Sequence, residues 1–124
     1  MKKVMIIEDD PAILDVLGML FKREGYETFS YPNGNFILMG DFNAPDLFII
    51  DKQLSGVDGL DICKHLKQTA ATRQIPVIIL SATPHLHSQI KLVGADAFLE
   101  KPFSNNRLLE IASSLLNGTT PPLH

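Results

Sequence analysis

Val4-Met5-Ile6-Ile7-Glu8-Asp9-Asp10-Pro11 places a strand, an acidic turn and a helix start in direct succession. Residues 4–7 are apolar without a break, the composition of a strand buried on both faces. Asp10-Pro11 then opens a helix. An Asp cap accepts the free amide hydrogens of the first turn, and a Pro at the first helical position gives up a donor that would be unpaired there. Ile13, Leu17, Leu20 and Glu24 follow at helical spacing, Leu14 and Phe21 widen the apolar stripe, and Gly25 supplies the stop.

The same grammar repeats down the chain. Residues 26–31 read as a second strand, Pro32-Asn33-Gly34 as a turn, and 35–39 as a short helix. Residues 47–50 form a third, wholly apolar strand, and 51–58 a loop containing Ser55 and Gly56. The pattern predicts a helix over 59–70, with Leu60, Cys63, Leu66 and Ala70 inward, and a fourth strand over 76–80. Thr83-Pro84 opens a helix to about Gly94 through Leu86, Ile90 and Val93, and 96–99 form a short fifth strand. Ser104 caps a last helix whose Leu108, Ile111 and Leu115 face inward. Strands alternating with helices predict an α/β fold with right-handed crossovers, a doubly wound parallel sheet covered on both faces. Residues 1–117 make one domain and 118–124 a flexible tail or linker.

Composition narrows the classes of function. The chain has 124 residues, 11 basic and 14 acidic, for a formal charge of −3. No basic stripe is visible, so direct nucleic-acid binding is not expected. The single Cys63 cannot build an internal disulfide framework or a multi-cysteine zinc site, which suits a reducing, cytoplasmic setting. Cys63 on the inner stripe reads as a small buried hydrophobe, and His65 beside it as solvent-facing. No apolar run approaches the roughly 18 residues of a membrane span.

In a doubly wound sheet, function gathers at the carboxyl ends of the strands. Glu8 and Asp9 follow the first strand, Asp51 the third, Ser81 the fourth, and Lys101-Pro102 the fifth. If the first and third strands are neighbours, three carboxylates meet, and like charges so close call for a cation. Oxygen donors without His or Cys suit a hard ion such as Mg²⁺ or Mn²⁺. Asp10 reads only as a cap. His85 and His87, two apart, do not share a helix face and make no metal site.

With these residues at these strand ends, the chain resembles the receiver domain of two-component response regulators over about residues 3–116. The resemblance implies a (βα)5, flavodoxin-like sheet of strand order 2-1-3-4-5. It makes Asp51 the phosphoacceptor, and Glu8, Asp9, Asp51 and the backbone carbonyl of Gln53 the Mg²⁺ ligands. Lys101 neutralises phosphoryl charge, while Ser81 and Phe98 form the conformational switch. Gln53 and Thr83 tune dephosphorylation. Apart from the resemblance, the bond before Pro102 is a candidate for the cis form, since X-Pro bonds allow it at modest cost. The partners implied are a sensor histidine kinase or histidine phosphotransfer protein and a downstream effector or covalently attached output domain. A phosphorylation-dependent homodimer is compatible with the same reading. The domain assists its own phosphorylation and is not a turnover enzyme on an external substrate.

The family's common Pro four residues after the acceptor is Ser55 here, which is expected to loosen that loop. Competing functions fare worse. A flavin carrier on the same scaffold needs a phosphate-cradling first loop, and Glu8-Asp9-Asp10 would repel that phosphate. An aspartyl-phosphate phosphatase usually has a second Asp where Gln53 stands. The remaining alternative is a phosphorylation-independent, receiver-like interaction module.

Overall fold

A computed structural model describes residues 1–83 and 87–118. It contains β1 (Lys3–Ile7), α1 (Pro11–Arg23), β2 (Glu27–Tyr31), α2 (Asn35–Leu38), β3 (Leu47–Asp51), α3 (Gly59–Gln68), β4 (Val77–Ser81), α4 (His87–Val93), β5 (Ala97–Glu100) and α5 (Asn105–Leu116). The strands form one parallel sheet in the order β2-β1-β3-β4-β5, as the resemblance implies.

The sheet is buried on both faces because β1, β3 and β4 are apolar at successive positions. One layer joins Val4, Ile6, Ile49, Ile78, Leu80 and Leu99 to α1 and α5. The opposite layer joins Ile7, Phe48, Ile50 and Ile79 to Ile62, Cys63 and Leu66 of α3. Phe42 stands edge-on to Phe36 and Phe48, with ring centroids 6.0 and 6.1 Å away, and so pins the α2 segment to the sheet.

The helix starts follow the sequence. Asp10 accepts from the Ala12 and Ile13 amides, and Ser104 from that of Arg107. Gly25, at φ 92°, takes the left-handed turn that ends α1, while Glu24 is an exposed cap and not part of the stripe. One expected helix end is corrected. α3 stops at Gln68, and Ala70 is exposed. The Thr69 and Thr72 hydroxyls take the carbonyls of His65 and Leu66, both at 2.7 Å, and so close the last turn early. His65 is half-buried, not fully solvent-facing. Cys63 is buried, and burial pushes its thiol up to about 12, so it remains protonated at neutral pH.

Ile90 is buried on α4 as expected. The expected start of that helix at Pro84, with His85 and Leu86, lies outside the described residues, as do residues 119–124 of the expected tail.

Candidate functional site

Strand register decides which carboxylates can meet. Ile6 pairs with Ile49 and Asp51 with Leu80, so alternation sends Glu8 and Asp51 to the layer of α1 and α5. Leu80 pairs with Leu99, which sends Lys101, two residues on, to the same layer. The three converge there. Lys101 Nζ lies 3.0 Å from Glu8 Oε1 and 3.1 Å from Asp51 Oδ2. Glu8 is 1% exposed and Asp51 5%. The backbone holds the three loops level. Glu8 N–H donates to Tyr31 O at 3.1 Å, Lys52 N–H to Leu80 O at 2.8 Å, and Lys101 N–H to Ser81 O at 2.8 Å.

Asp9 is half-buried beside this pair. Glu8, Asp9 and Asp51 each present an oxygen, and these atoms all lie within 4.8 Å of one another. An anionic, all-oxygen donor set of this span fits a hard divalent cation. The electrostatics agree. Burial first, and then the neighbouring Asp51, push the Glu8 carboxyl up to about 7 against the pull of Lys101. Burial alone would lower Lys101, but its bonds to Glu8 and Asp51 outweigh that and hold the ammonium above its ordinary range.

Gly59 lets the β3–α3 loop close. A Cβ there would run into the carbonyl oxygen of Asp51, and the Gly59 amide donates to Lys52 O at 2.7 Å. Lys52 Nζ pairs with Asp58 at 3.0 Å, while Asp58 caps α3 through Leu60 N–H. Sequence reasoning passed over Lys52 and Asp58 as functional supports. Their signal was the cap-and-glycine start of a helix set directly after the acidic strand end.

Ser81 and Phe98 belong to the other layer. Phe98 pairs with Ile79, and Ser81 stands two residues further along β4 on the same face. Ser81 is fully buried, and its Oγ accepts the Thr83 amide hydrogen at 2.9 Å. Gln53 Nε2 reaches Thr83 Oγ1 at 3.4 Å, so the two expected tuning residues meet across the mouth of the site. The Lys101–Pro102 peptide bond is cis. At the position of the expected loosening, Ser55 Oγ donates to Asp9 Oδ2 at 3.0 Å, a bond between the loop and the acidic turn.

This arrangement can accept an anionic group at a buried carboxylate, provided a cation and a lysine offset the charge. Among the described residues no helix is long and apolar enough to cross a membrane.

Comparison with known proteins places this geometry. The family model for the response regulator receiver domain matches residues 4–113. The polar-differentiation response regulator DivK of Brucella anthropi is 36% identical over 118 residues, covering 93% of this chain and 96% of that one. The DNA-binding dual master transcriptional regulator RpaA of Synechocystis is 34% identical over 125 residues, covering 96% of this chain but 51% of RpaA. The chain therefore spans about half the length of several curated relatives it matches and nearly all of DivK. The response regulator TrrA of Thermotoga maritima, solved in complex with Mg(2+)-BeF, superposes with a TM-score of 0.82 at 28% identity, covering 93% of this chain and 99% of TrrA. The receiver domain of a signal transduction histidine kinase from Syntrophus aciditrophicus gives 0.86 at 28% identity, covering 99% and 96%. Receiver domains are signalling domains of two-component systems, not turnover enzymes on external substrates. By family match, sequence relatives and fold, this chain belongs to the response regulator receiver domains.

Proposed function

We propose that residues 1–117 act as a phosphorylation-dependent switch with Asp51 as phosphoacceptor. The observation that carries this reading is the position of Asp51: buried at the end of β3, 3.1 Å from Lys101 Nζ, beside the oxygens of Glu8 and Asp9. The donor is a phosphohistidine on a sensor kinase or phosphotransfer protein. An Asp51 carboxylate oxygen attacks phosphorus, the P–N bond breaks, and the electron pair leaves with the imidazole nitrogen.

Glu8, Asp9, Asp51 and the Gln53 carbonyl would hold Mg²⁺ or Mn²⁺. When bound, the ion supplies positive charge that offsets repulsion between the carboxylates and the incoming phosphoryl group. Lys101 is already aimed at Asp51 and stabilises charge on the transferred oxygens. Gln53 and Thr83, neither of them a carboxylate, offer no strong base to a water attacking the acyl phosphate, and their mutual hydrogen bond partly roofs it.

The switch uses the other layer. The Ser81 hydroxyl turns from the Thr83 amide to donate to a phosphoryl oxygen. Phe98, on the same face, turns inward behind it, and the surface of α4, β5 and α5 shifts in population. That surface controls an effector, an attached output domain or a second copy. RpaA, whose name gives it as DNA-binding, is about twice this length, so contact with nucleic acid by these residues is not part of the proposal.

The test is an intact mass after incubation with acetyl phosphate and Mg²⁺. We expect one phosphoryl adduct on the wild type, and none on Asp51→Asn or with Mg²⁺ removed by chelation. A folded wild-type chain that takes no adduct sinks the proposal.

A further inference from the structure

The β3–α3 loop is fastened at both ends. Lys52 N–H donates to Leu80 O at 2.8 Å, and Gly59 N–H to Lys52 O at 2.7 Å. Between these points Gly56 turns the chain at φ 90°. Beside that turn, Ser55 Oγ reaches across to Asp9 Oδ2 at 3.0 Å, joining the middle of the acceptor loop to the acidic turn after β1. Asp9 differs from its acidic neighbours in how it is held. Glu8 and Asp51 are buried and paired with Lys101, whereas Asp9 is half-buried.

A half-exposed carboxylate keeps rotamer freedom that must be given up when it ligates an ion. Mg²⁺ demands near-ideal octahedral geometry and dehydrates reluctantly, so a ligand held in advance matters more for it than for a larger, more permissive cation. The hydroxyl of Ser55 can supply that hold. It donates to one oxygen of Asp9, Oδ2, and so restrains the carboxylate.

From this geometry we infer that Ser55 is a positioning residue for divalent-cation binding, one that orients Asp9 and links ion occupancy to the order of the acceptor loop. The inference rests on the reading of Glu8, Asp9 and Asp51 as the cation site. Ser55 touches neither the acceptor nor the phosphoryl group. Its action runs through Asp9, and its effect is on ion affinity and on the loop.

The experiment is a Mg²⁺ titration of the full chain followed by backbone amide chemical shifts, with wild type, Ser55→Ala, Ser55→Thr and Asp9→Asn. Partners that orient metal ligands typically contribute about 10–100-fold in affinity, and an exposed hydroxyl belongs at the lower end, so Ser55→Ala should weaken binding about tenfold. Ser55→Thr, which keeps the hydroxyl, should restore it. Hydrogen exchange at residues 53–57 should slow on adding Mg²⁺ in the wild type but not in Ser55→Ala. If Ser55→Ala binds like wild type while Asp9→Asn binds weakly, the role of Ser55 is overturned and the cation site stands. Ser55→Thr binding as weakly as Ser55→Ala also overturns it. If wild type and Asp9→Asn bind alike, the cation site itself falls, and the role of Ser55 with it.

Discussion

The two ends of the sheet each hold a lysine among acceptors, and they are built to opposite effect. At the amino end, Lys67 Nζ donates to Asp96 Oδ2 at 2.8 Å, to Ile75 O at 2.8 Å and to Arg73 O at 3.4 Å. Asp96 Oδ2 also accepts the Val77 amide at 2.8 Å. One cation meets one anion, and the backbone carbonyls and amide around them are satisfied. At the carboxyl end, Lys101 faces Glu8 and Asp51 with Asp9 alongside, so a single lysine stands against three carboxylates. The first cluster is closed and fastens α3 to the loops that enter β4 and β5. The second is left short of positive charge, and that imbalance suits it to the cation and phosphoryl group proposed for it.

The contrast can be broken most decisively at Lys101. Lys101→Ala should slow acetyl-phosphate labelling about 100-fold, the usual effect of removing one preorganised electrostatic donor, as followed by intact mass over time. A variant that labels at the wild-type rate but unfolds early would make Lys101 a structural staple like Lys67. Next in size is Gly59→Ala. The new methyl group meets the Asp51 carbonyl, so urea unfolding should show about 1–3 kcal/mol lost, the range for overpacked sites. Lys67→Met should remove about 1–2 kcal/mol through its lost charged hydrogen bonds and leave labelling untouched. Slow labelling in that variant would show the two ends to be coupled.

The smallest effect is a pH dependence. Glu8 is raised to about 7 from an ordinary value of 4.5. Its contribution to metal-free stability is therefore full below the ordinary value and is lost as pH rises through 7. A cation that binds the ionised form offsets this loss, so the thermal shift caused by Mg²⁺ should be larger at about pH 8 than at about pH 6. Glu8→Gln should flatten the difference in calorimetry.

Much of the carboxyl end was legible in the sequence because the signals there are contiguous. Residues 4–7 run straight into Glu8, and 47–50 straight into Asp51, so naming the strands names their terminal acids. The caps Asp10 and Ser104 were legible for the same reason: they act on amides two or three residues away. The amino end was not legible. Asp96 reads as the first residue of the fifth strand and nothing in the sequence singles out Lys67, and only the packed fold brings together groups 29 residues apart. The bond of Ser55 was not legible because its partner, Asp9, lies 46 residues away, and the path of a loop between them follows from tertiary structure. The early end of α3 was missed because threonine hydroxyls compete with the helix for its own carbonyls, and periodicity does not register that competition.

The alternation that sends Glu8, Asp51 and Lys101 to one layer, and Ser81 and Phe98 to the other, also governs how this gene can change length. One codon gained inside β3 would carry Asp51 through the sheet to the other side, among the α3 side chains. Two would return it to the correct side but lift it a full pleat beyond Lys101. The strands are therefore expected to admit substitution more readily than insertion, while in the loops at the opposite end the chain can grow without moving any of these five residues.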